Sequence, residues 1–234
     1  MIKVILWDVD GTLLDFEKAE CEAIRTCFRN FGLGECTDEM IGRYEKINKG
    51  YWEMLERGEI TKQRLLVQRY EEFFAAEGIA SGGCEEAFNE AYQKELGNYA
   101  FFCDGAWELV NGLKEEGLVK QYAVTNGTKI AQDGKLKKSG LIDVFDDVFI
   151  SEEVGVEKPG EGFFEHVWSV IGRYTPDEVL IVGDSLTSDI QGGNNANILC
   201  CWYNPKGLVN TKGVRVDYEI RHLDEIREIL EKSK

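Results

Sequence analysis

The chain has 234 residues, 43% of them hydrophobic and 30% charged, which is typical of a globular protein with one large or two modest domains. Its net charge of -16 disfavours binding to nucleic acid polymers or acidic membrane surfaces, although a small anion can bind where cations are concentrated. No stretch is long and apolar enough to predict a membrane span, and the first apolar run is too short for a signal peptide.

The first predicted element is a strand over residues 3–8. Its apolar run VILW has no polar alternation, so both faces are expected to be covered, as in a parallel sheet flanked by helices. Side chains alternate along a strand, so Asp8 and Asp10 would point to one side and Val9 to the other. Because open α/β sheets bind ligands at the carboxyl ends of their strands, the two aspartates are candidate functional residues.

Three other interpretations of the two aspartates are open at this point. A calcium loop needs a glycine at its sixth position and a helix in front, whereas Gly11 is the fourth residue counted from Asp8 and follows a strand. A solvated turn would use Asp10 and Gly11 only to reverse the chain. A receiver-type switch would use clustered aspartates to take up a phosphoryl group and hold a metal. The rest of the chain has to distinguish among them.

Four amphipathic helices are predicted next, between residues 16 and 99. Apolar residues recur there at helical spacing, and glycines separate the four stripes. The stripes are Ile24, Cys27, Phe28 and Phe31; Ile41, Tyr44, Ile47, Tyr51 and Leu55; Leu66, Tyr70, Phe73 and Phe74; and Phe88, Ala91, Tyr92 and Leu96. We call residues 16–99 the helical insert. It interrupts a second domain, residues 1–15 and 100–234, directly after the two aspartates, and so is expected to act as a lid.

After residue 99, short apolar runs alternate with amphipathic helices, which predicts a doubly wound, parallel α/β sheet. Its further strands are expected at 122–125, 148–150, 179–182 and 198–203. Polar residues follow three of them and would share one sheet edge with the two aspartates. Each alone has an ordinary explanation as a helix cap or solvated loop residue, but those explanations do not account for their common location. These residues are Thr125, Asn126 and Gly127; Lys158; and Asp184 with Asp189.

Four carboxylates at one edge predict a cation site. Each close pair would repel by about 4 kcal/mol at an effective dielectric constant of about 20, and a divalent cation together with Lys158 would offset this. Oxygen ligands without a nearby histidine indicate Mg2+. His166 and His222 fall in predicted helices away from the strand ends, and we expect both to be structural. The candidate metal ligands are Asp8, Asp10, Asp184 and Asp189.

A hydroxyl, accessible backbone N–H groups, a lysine and Mg2+ together suit a phosphoryl group. One aspartate would then be a nucleophile and another an acid and base. At this point four motifs resemble those of the haloacid dehalogenase-like superfamily, in the same order and with fitting spacing. The motifs are Asp8-Val9-Asp10-Gly11-Thr12, Thr125-Asn126-Gly127, Lys158-Pro159, and Gly183-Asp184-Ser185 with Asp189.

The resemblance implies a Rossmann-like core with a helical C1 cap and a Mg2+-dependent phosphomonoesterase activity. Asp8 would form an aspartyl-phosphate, and Asp10 would protonate the leaving oxygen and later activate water. Receiver domains are disfavoured, because their aspartates and lysine lie on strands in another order and they carry no such lid. The residues implied to bind are Thr125, Asn126, Gly127 and Lys158 for the phosphoryl group, Asp184 for Mg2+, and Asp189 for its outer shell.

Four further stretches resemble the pyrimidine nucleotidase branch, which implies nucleoside 5'-monophosphates as substrates. On this basis Lys49 is a candidate substrate-binding residue on the insert. The alternatives are a phosphosugar phosphatase, a phosphomutase or a non-catalytic protein that binds a phosphorylated ligand. Asn197 replaces a usual glycine of the superfamily, and asparagine tolerates the left-handed conformation expected there. The stretches are Ile47-Asn48-Lys49 with Trp52, and residues 58–61, 150–155 and 201–204.

The seven cysteines have no zinc-type spacing and predict reduced thiols in a cytoplasmic protein. Cys200 and Cys201 are adjacent in an apolar run, so they would face opposite sides of a strand. The expected partner is a small phosphate monoester, with no nucleic acid polymer and no membrane, and the expected state is a monomer or homodimer.

Overall fold

A computed structural model describes residues 1–172 and 174–233. Its six strands form one sheet in which every neighbouring pair is parallel. The order is β3-β2-β1-β4-β5-β6, so the chain winds outward from β1 in both directions and the doubly wound prediction is confirmed. The strands are β1 Val4–Trp7, β2 Lys120–Thr125, β3 Asp147–Ile150, β4 Val179–Gly183, β5 Leu199–Tyr203 and β6 Tyr218–Ile220.

Helices cover both faces of this sheet. Ile5 and Trp7 pack into one buried cluster and Val4 and Leu6 into the other, as the unbroken apolar run predicted. Adjacent cysteines of β5 are divided in the same way, since Cys200 packs on one face and Cys201 on the other. The helices outside the insert are α5 Ala106–Glu116, α6 Lys129–Ser139, α7 Ser151–Val154, α8 Glu161–Ile171, α9 Gln191–Asn195 and α10 Glu225–Lys232.

Four helices and no strand lie in the described helical insert, as predicted. Three of them begin at a side-chain cap, in which Asp15, Thr37 or Thr61 accepts a hydrogen bond from a backbone N–H in the first turn. Most residues of their predicted apolar stripes meet in an aromatic core, whereas Tyr51, Leu55 and Leu66 lie outside it, and Leu65 rather than Leu66 is fully buried. Whether the insert and the sheet are separate domains at the predicted bounds stays a prediction. The helices are α1 Phe16–Phe31, α2 Asp38–Glu56, α3 Lys62–Glu77 and α4 Glu85–Asn98, and they precede α5 in the chain.

Two details of the carboxyl-terminal half differ from the predictions. β6 was not predicted, because only three residues at the sheet edge form it and the pattern of so short a run is weak. His222 was placed in a helix, but it lies in the turn before α10, where the Glu225 carboxylate accepts its backbone N–H. Asn197 has φ 56, so the left-handed conformation expected there is confirmed. No helix of the described residues is long and apolar enough to cross a membrane.

Candidate active site

The carboxyl ends of β1, β2 and β4 open into a cavity of about 190 Å³ beneath the helical insert. It collects predicted residues from all four motifs, although more than 170 positions separate the first from the last. This follows from the topology, because parallel neighbours end at the same sheet edge. The predicted residues that line the cavity are Asp8, Asp10, Thr125, Asn126, Gly127, Lys158, Asp184 and Asp189.

Hydrogen bonds hold both carboxylate oxygens of Asp8. Lys158 Nζ donates to Oδ1 at 2.9 Å, and the Thr12 hydroxyl donates to Oδ2 at 3.0 Å. Thr12 in turn accepts the backbone N–H of Asp184 at 3.1 Å, which connects the first and fourth motifs. Burial and the neighbouring carboxylate of Asp189 raise the pKa of Asp8 to about 7, against the effect of Lys158. Asp8 is therefore fixed in orientation at a site where more positive charge would stabilise its ionised form.

Lys158 is almost completely buried and uses all three of its N–H groups. Besides Asp8, its ammonium donates to Asp189 Oδ1 at 2.7 Å and to the Val124 carbonyl at 2.6 Å. Burial opposes the charge, but the carboxylates of Asp189 and Asp8 outweigh it and raise the pKa of Lys158 above its ordinary value. The lysine is therefore held protonated between two aspartates.

Asp8, Asp184 and Asp189 form a group that fits a divalent cation. Oxygen atoms of the three carboxylates all lie within 4.8 Å of one another, and among the described residues only one lysine is paired with the group. Gly11 leaves room for it, because a Cβ there would lie 2.7 Å from Asp184 Oδ2, and its φ of 91° also disfavours a side chain. An all-oxygen donor set with excess negative charge suits Mg2+.

Asp189 is less free than Asp184 to bind a metal directly. Its Oδ1 accepts from Lys158, and its Oδ2 accepts the backbone N–H of Ser185 at 3.1 Å. Asp184 is exposed to the cavity, and its backbone carbonyl accepts the indole N–H of Trp202 at 2.9 Å. This division resembles the predicted one, in which Asp184 contacts the metal and Asp189 lies behind it.

Asp10, also predicted as a metal ligand, is not part of this carboxylate group. Both of its oxygens accept hydrogen bonds from α6: Lys135 Nζ donates to Oδ1 and Gln132 Nε2 to Oδ2, each at 2.6 Å. Asp10 still lines the cavity beside Asp8, while Val9 between them is buried in the core, as strand alternation predicted. The Asp10 carboxylate is therefore separate from the three carboxylates that could bind a cation, but it still lines the cavity.

The second motif also supports the third. The Asn126 amide donates to the Lys158 carbonyl at 2.8 Å and accepts the Lys158 backbone N–H at 2.8 Å. Both polar atoms of the Asn126 side chain therefore bind the loop that contains Lys158 and are not free to bind a ligand. Thr125 ends β2, and its hydroxyl accepts the Gly127 N–H at 3.1 Å, so it is not the cap of α6, which begins after Thr128.

The helical insert forms the opposite wall of the cavity. Phe16, Trp52 and Leu96 contribute apolar surface, and Glu56 at the end of α2 contributes a carboxylate. Glu56 accepts a hydrogen bond from the Thr187 hydroxyl of the fourth-motif loop, and burial raises the pKa of Glu56 to about 7. The insert also lines the cavity with Arg69 and Gln93, so its face toward the site combines three apolar and three polar side chains.

Lys49 is the one predicted binding residue that the structure does not bring to the cavity. It is exposed on α2 and does not line the cavity, whereas Trp52 on the same helix does. The preceding residue, Asn48, is buried and donates to Glu20 at 2.6 Å. Successive helical residues are rotated by about 100°, so burial of Asn48 turns Lys49 toward solvent.

Sequence reasoning missed the side-chain roles of Thr12, Glu56, Gln132 and Lys135. Thr12 was quoted only as part of its motif. Gln132 and Lys135 carry a usable signal, because they share the apolar face of α6 with Ala131 and Leu136, and polar residues on such a face need a partner. The sequence contains no comparable signal for Glu56, since its partner Thr187 is 131 residues away.

Comparisons with known proteins agree with this geometry. The family described as haloacid dehalogenase-like hydrolase matches residues 2–197. Pyrimidine 5'-nucleotidase PynA of Streptococcus pneumoniae is 36% identical, over 99% of this chain and 96% of that protein. Pyrimidine 5'-nucleotidase YjjG of Escherichia coli is 31% identical, over 97% and 96%. The crystal structure of the HAD-hydrolase YfnB from Bacillus subtilis bound to magnesium superposes with a TM-score of 0.91 at 34% identity, covering 98% of each chain.

Proposed function

Because the chain belongs to the haloacid dehalogenase-like hydrolase family, we propose that it is a Mg2+-dependent phosphatase of nucleoside 5'-monophosphates that works through an aspartyl-phosphate. The observation that carries this proposal is the arrangement around Asp8. Its carboxylate faces the cavity, Lys158 and Thr12 orient both oxygens, and a second carboxylate, that of Asp10, lies beside it. Hydrolysis through a covalent intermediate requires a fixed nucleophile and a separate group that acts as acid and base.

In the first step, an oxygen of Asp8 attacks phosphorus, and the bond from phosphorus to the leaving oxygen breaks. Asp10 transfers a proton to that oxygen, so the alcohol leaves neutral. Lys158 donates hydrogen bonds throughout and does not exchange its proton, in keeping with its raised pKa. We assign Thr125 and the backbone around Gly127 to contacts with the phosphoryl oxygens, because both line the cavity at the end of β2.

In the second step, water attacks phosphorus and the bond from phosphorus to Asp8 breaks. Asp10, now ionised, takes the proton of that water and returns to its starting form as phosphate leaves. Asp8 and Asp184 are the residues that would hold Mg2+, with Asp189 behind them, and the bound ion would neutralise charge on the phosphoryl group.

Two observations support a nucleotide as the substrate. The wall of the cavity opposite the catalytic carboxylates contains Phe16 and Trp52, whose rings can pack against a planar base. In addition, the relatives PynA and YjjG, matched over nearly their whole length, are named pyrimidine 5'-nucleotidases. A phosphosugar, the main alternative, would present hydroxyl groups to these two rings.

A phosphate-release screen over nucleoside 5'-monophosphates and sugar phosphates tests the proposal. We expect pyrimidine nucleotides to have the highest kcat/KM, chelation to abolish release, and Mg2+ to restore it. Asp184→Asn should raise the Mg2+ concentration needed for half-maximal activity. Faster hydrolysis of sugar phosphates would favour the phosphosugar phosphatase, and isomerised product without phosphate release would favour a mutase. Phosphate binding without turnover would indicate a non-catalytic protein, and full activity in excess chelator would exclude the metal requirement.

A further inference from the structure

The carboxylate of Asp10 is held by two side chains from one helix outside the four motifs. Lys135 and Gln132 are three residues apart on α6, so they project from the same helix face, and each reaches one oxygen of Asp10 at 2.6 Å. Two donors on two oxygens define the plane of the carboxyl group as well as its position. A single contact would leave that plane free to rotate.

Burial of Lys135 is difficult to explain by packing alone. Its side chain is 1% exposed, and desolvation of an ammonium costs several kcal/mol unless a partner compensates it. Asp10 is the only carboxylate paired with it among the described residues, and that carboxylate is 20% exposed and faces the cavity. An ion pair that served only stability would not need one of its partners to line the cavity.

Gln132 has a similar feature. Its side-chain nitrogen donates to Asp10, but its buried Oε1 has no hydrogen-bond partner among the described residues. An unsatisfied buried acceptor costs about 1 to 3 kcal/mol, and an apolar residue would avoid this cost. Since Gln132 lines the cavity, a glutamine at this position is more readily explained by a role in the site than by stability.

The helix that carries both residues is tightly supported by the insert. A Cβ on Gly134 would lie 2.6 Å from the Cα of Gly97, so α6 and α4 touch through their backbones. The Thr128 hydroxyl before α6 also donates to Gln93 of α4 at 2.7 Å. The two residues that donate to Asp10 therefore lie on a helix whose position depends on both the sheet and the insert.

We propose that Lys135 and Gln132 are positioning residues that orient Asp10 for proton transfer to the leaving oxygen and from the attacking water. This proposal rests on the proposed function. Neither residue exchanges a proton in it; Lys135 Nζ and Gln132 Nε2 act by holding the carboxyl group of Asp10. Removal of either side chain should then reduce proton transfer while leaving substrate binding largely intact.

The test compares kcat and KM of Lys135→Met and Gln132→Met with the wild type, using a nucleoside 5'-monophosphate and p-nitrophenyl phosphate with Mg2+. We expect Lys135→Met to lower kcat for the nucleotide by about 10- to 100-fold, within the range of acid and base catalysis, with little change in KM. Phosphoenzyme formation from p-nitrophenyl phosphate should be less affected, because its leaving group needs no proton. Lys138→Met, an exposed lysine on the same helix, is the matched control and should behave as wild type.

A double-mutant cycle with Asp10→Asn separates positioning from general damage. If Lys135 acts through Asp10, Lys135→Met should reduce kcat by less than about 2-fold when Asp10 is already asparagine. Equal losses in both backgrounds, or a loss confined to KM, would overturn the proposal. Circular dichroism and thermal melting check folding, and if Lys135→Met does not fold, the same cycle with Gln132→Met decides. A wild type without phosphatase activity overturns the proposed function as well, whereas an active wild type with an additive cycle overturns only the positioning role.

Discussion

Two buried clusters of charged side chains, one at the sheet edge and one inside the helical insert, differ in how far the fold satisfies them. At the sheet edge, three carboxylates face a single ammonium, so the charge there is not balanced by the protein. One of the carboxylates, that of Asp184, is exposed to the cavity. We call this group the site cluster; its members are Asp8, Lys158, Asp184 and Asp189.

Inside the insert, one carboxylate and one guanidinium share a hydrogen-bond network across all four helices. Asn48 lies between them, donating to Glu20 at 2.6 Å and accepting from Arg69 at 2.8 Å. Asn89 accepts from Arg69 at 2.9 Å, and the Tyr92 hydroxyl donates to Glu20 at 3.1 Å. We call these five residues the insert cluster. Its charges cancel, and both ions are nearly inaccessible to solvent.

Buried charge by itself therefore does not identify a functional site. In each cluster burial raises the pKa of a carboxyl group to about 7, that of Glu20 in the insert and that of Asp8 in the site cluster. The distinguishing feature is charge imbalance, because Arg69 of the insert cluster also lines the cavity. In the proposed function a cation and substrate would complete the site cluster, whereas the insert cluster is largely completed by its own helices.

The largest effect that should separate the clusters is that of Asp8→Asn. Loss of the nucleophile should lower kcat by on the order of 10⁴-fold or more, while the melting temperature stays equal or rises, because one of three repelling carboxylates is neutralised. Steady-state kinetics and thermal melting measure the two quantities. Retained activity would assign the nucleophile elsewhere, and a clear loss of stability would make the site cluster structural.

Asp10→Asn should have a smaller effect and a different one. Proton transfer is worth about 10²-fold to 10⁴-fold, so nucleotide hydrolysis should slow by that factor. With p-nitrophenyl phosphate the first step should recover, because its leaving group needs little protonation, and phosphoenzyme should accumulate. Mass spectrometry of the quenched variant should find the added phosphoryl group on the peptide containing Asp8, after a burst of p-nitrophenol. Phosphate on any other residue would contradict these roles.

Arg69→Met should show the opposite behaviour in the insert cluster. It leaves Glu20 buried without its cation and the Asn48 carbonyl oxygen without its donor, whereas Asn89 keeps a hydrogen bond from Gln93. Such a change typically costs about 3 to 5 kcal/mol of unfolding free energy. Urea denaturation measures it, and Arg64→Met, an exposed arginine on the same helix, is the control. A loss of activity without a loss of stability would mean that Arg69 serves the cavity, which it also lines, rather than the cluster.

The pH dependence of stability should isolate Glu20. Because burial raises its folded pKa to about 7 from an ordinary 4.5, the folded state binds more protons between these values, and stability should fall as pH rises through this window. Glu20→Gln cannot titrate, so the unfolding free energy of the variant should gain about 3 kcal/mol relative to wild type from pH 4.5 to pH 7. Denaturation at both pH values measures this difference. A constant difference would mean that the pKa of Glu20 is the same in the folded and unfolded states.

The smallest effect concerns the face that the insert turns to the cavity. Trp52→Ala should lower kcat/KM for nucleotides by about 2- to 10-fold relative to p-nitrophenyl phosphate, the usual range for one lost aromatic contact. Lys49→Ala on the same helix should leave kcat/KM unchanged for both substrates, because Lys49 is exposed and outside the cavity. Equal losses on both substrates for Trp52→Ala would indicate that the tryptophan serves only packing.

The strands and the four helices of the insert could be predicted from periodicity, because both faces of a parallel strand and one face of each helix are apolar. The eight polar or glycine residues predicted at the strand ends could be placed at one edge for a topological reason, and all eight line the cavity. Short-range sequence patterns do not reveal the position of a side chain whose hydrogen-bond partner lies far away along the chain. Lys49 lies outside the cavity because Asn48 beside it is buried against Glu20, and Asp10 is held apart from the other three carboxylates by α6 partners more than 120 residues away. Their roles in substrate and metal binding stay predictions.

The sequence by itself therefore determined the type of sheet, the position of the insert and the chemistry of the strand ends, since these depend on residue type and on short, regular spacing. Tertiary structure alone decided which carboxylates share a cation-type site, which oxygens of Asp8 and Asp10 are held, and which face of the insert meets the cavity. The physical reason is that hydrogen bonds and burial act over a few ångströms in space. The partners they bring together here, such as Asp10 and Lys135, are separated along the chain by far more than any local pattern spans.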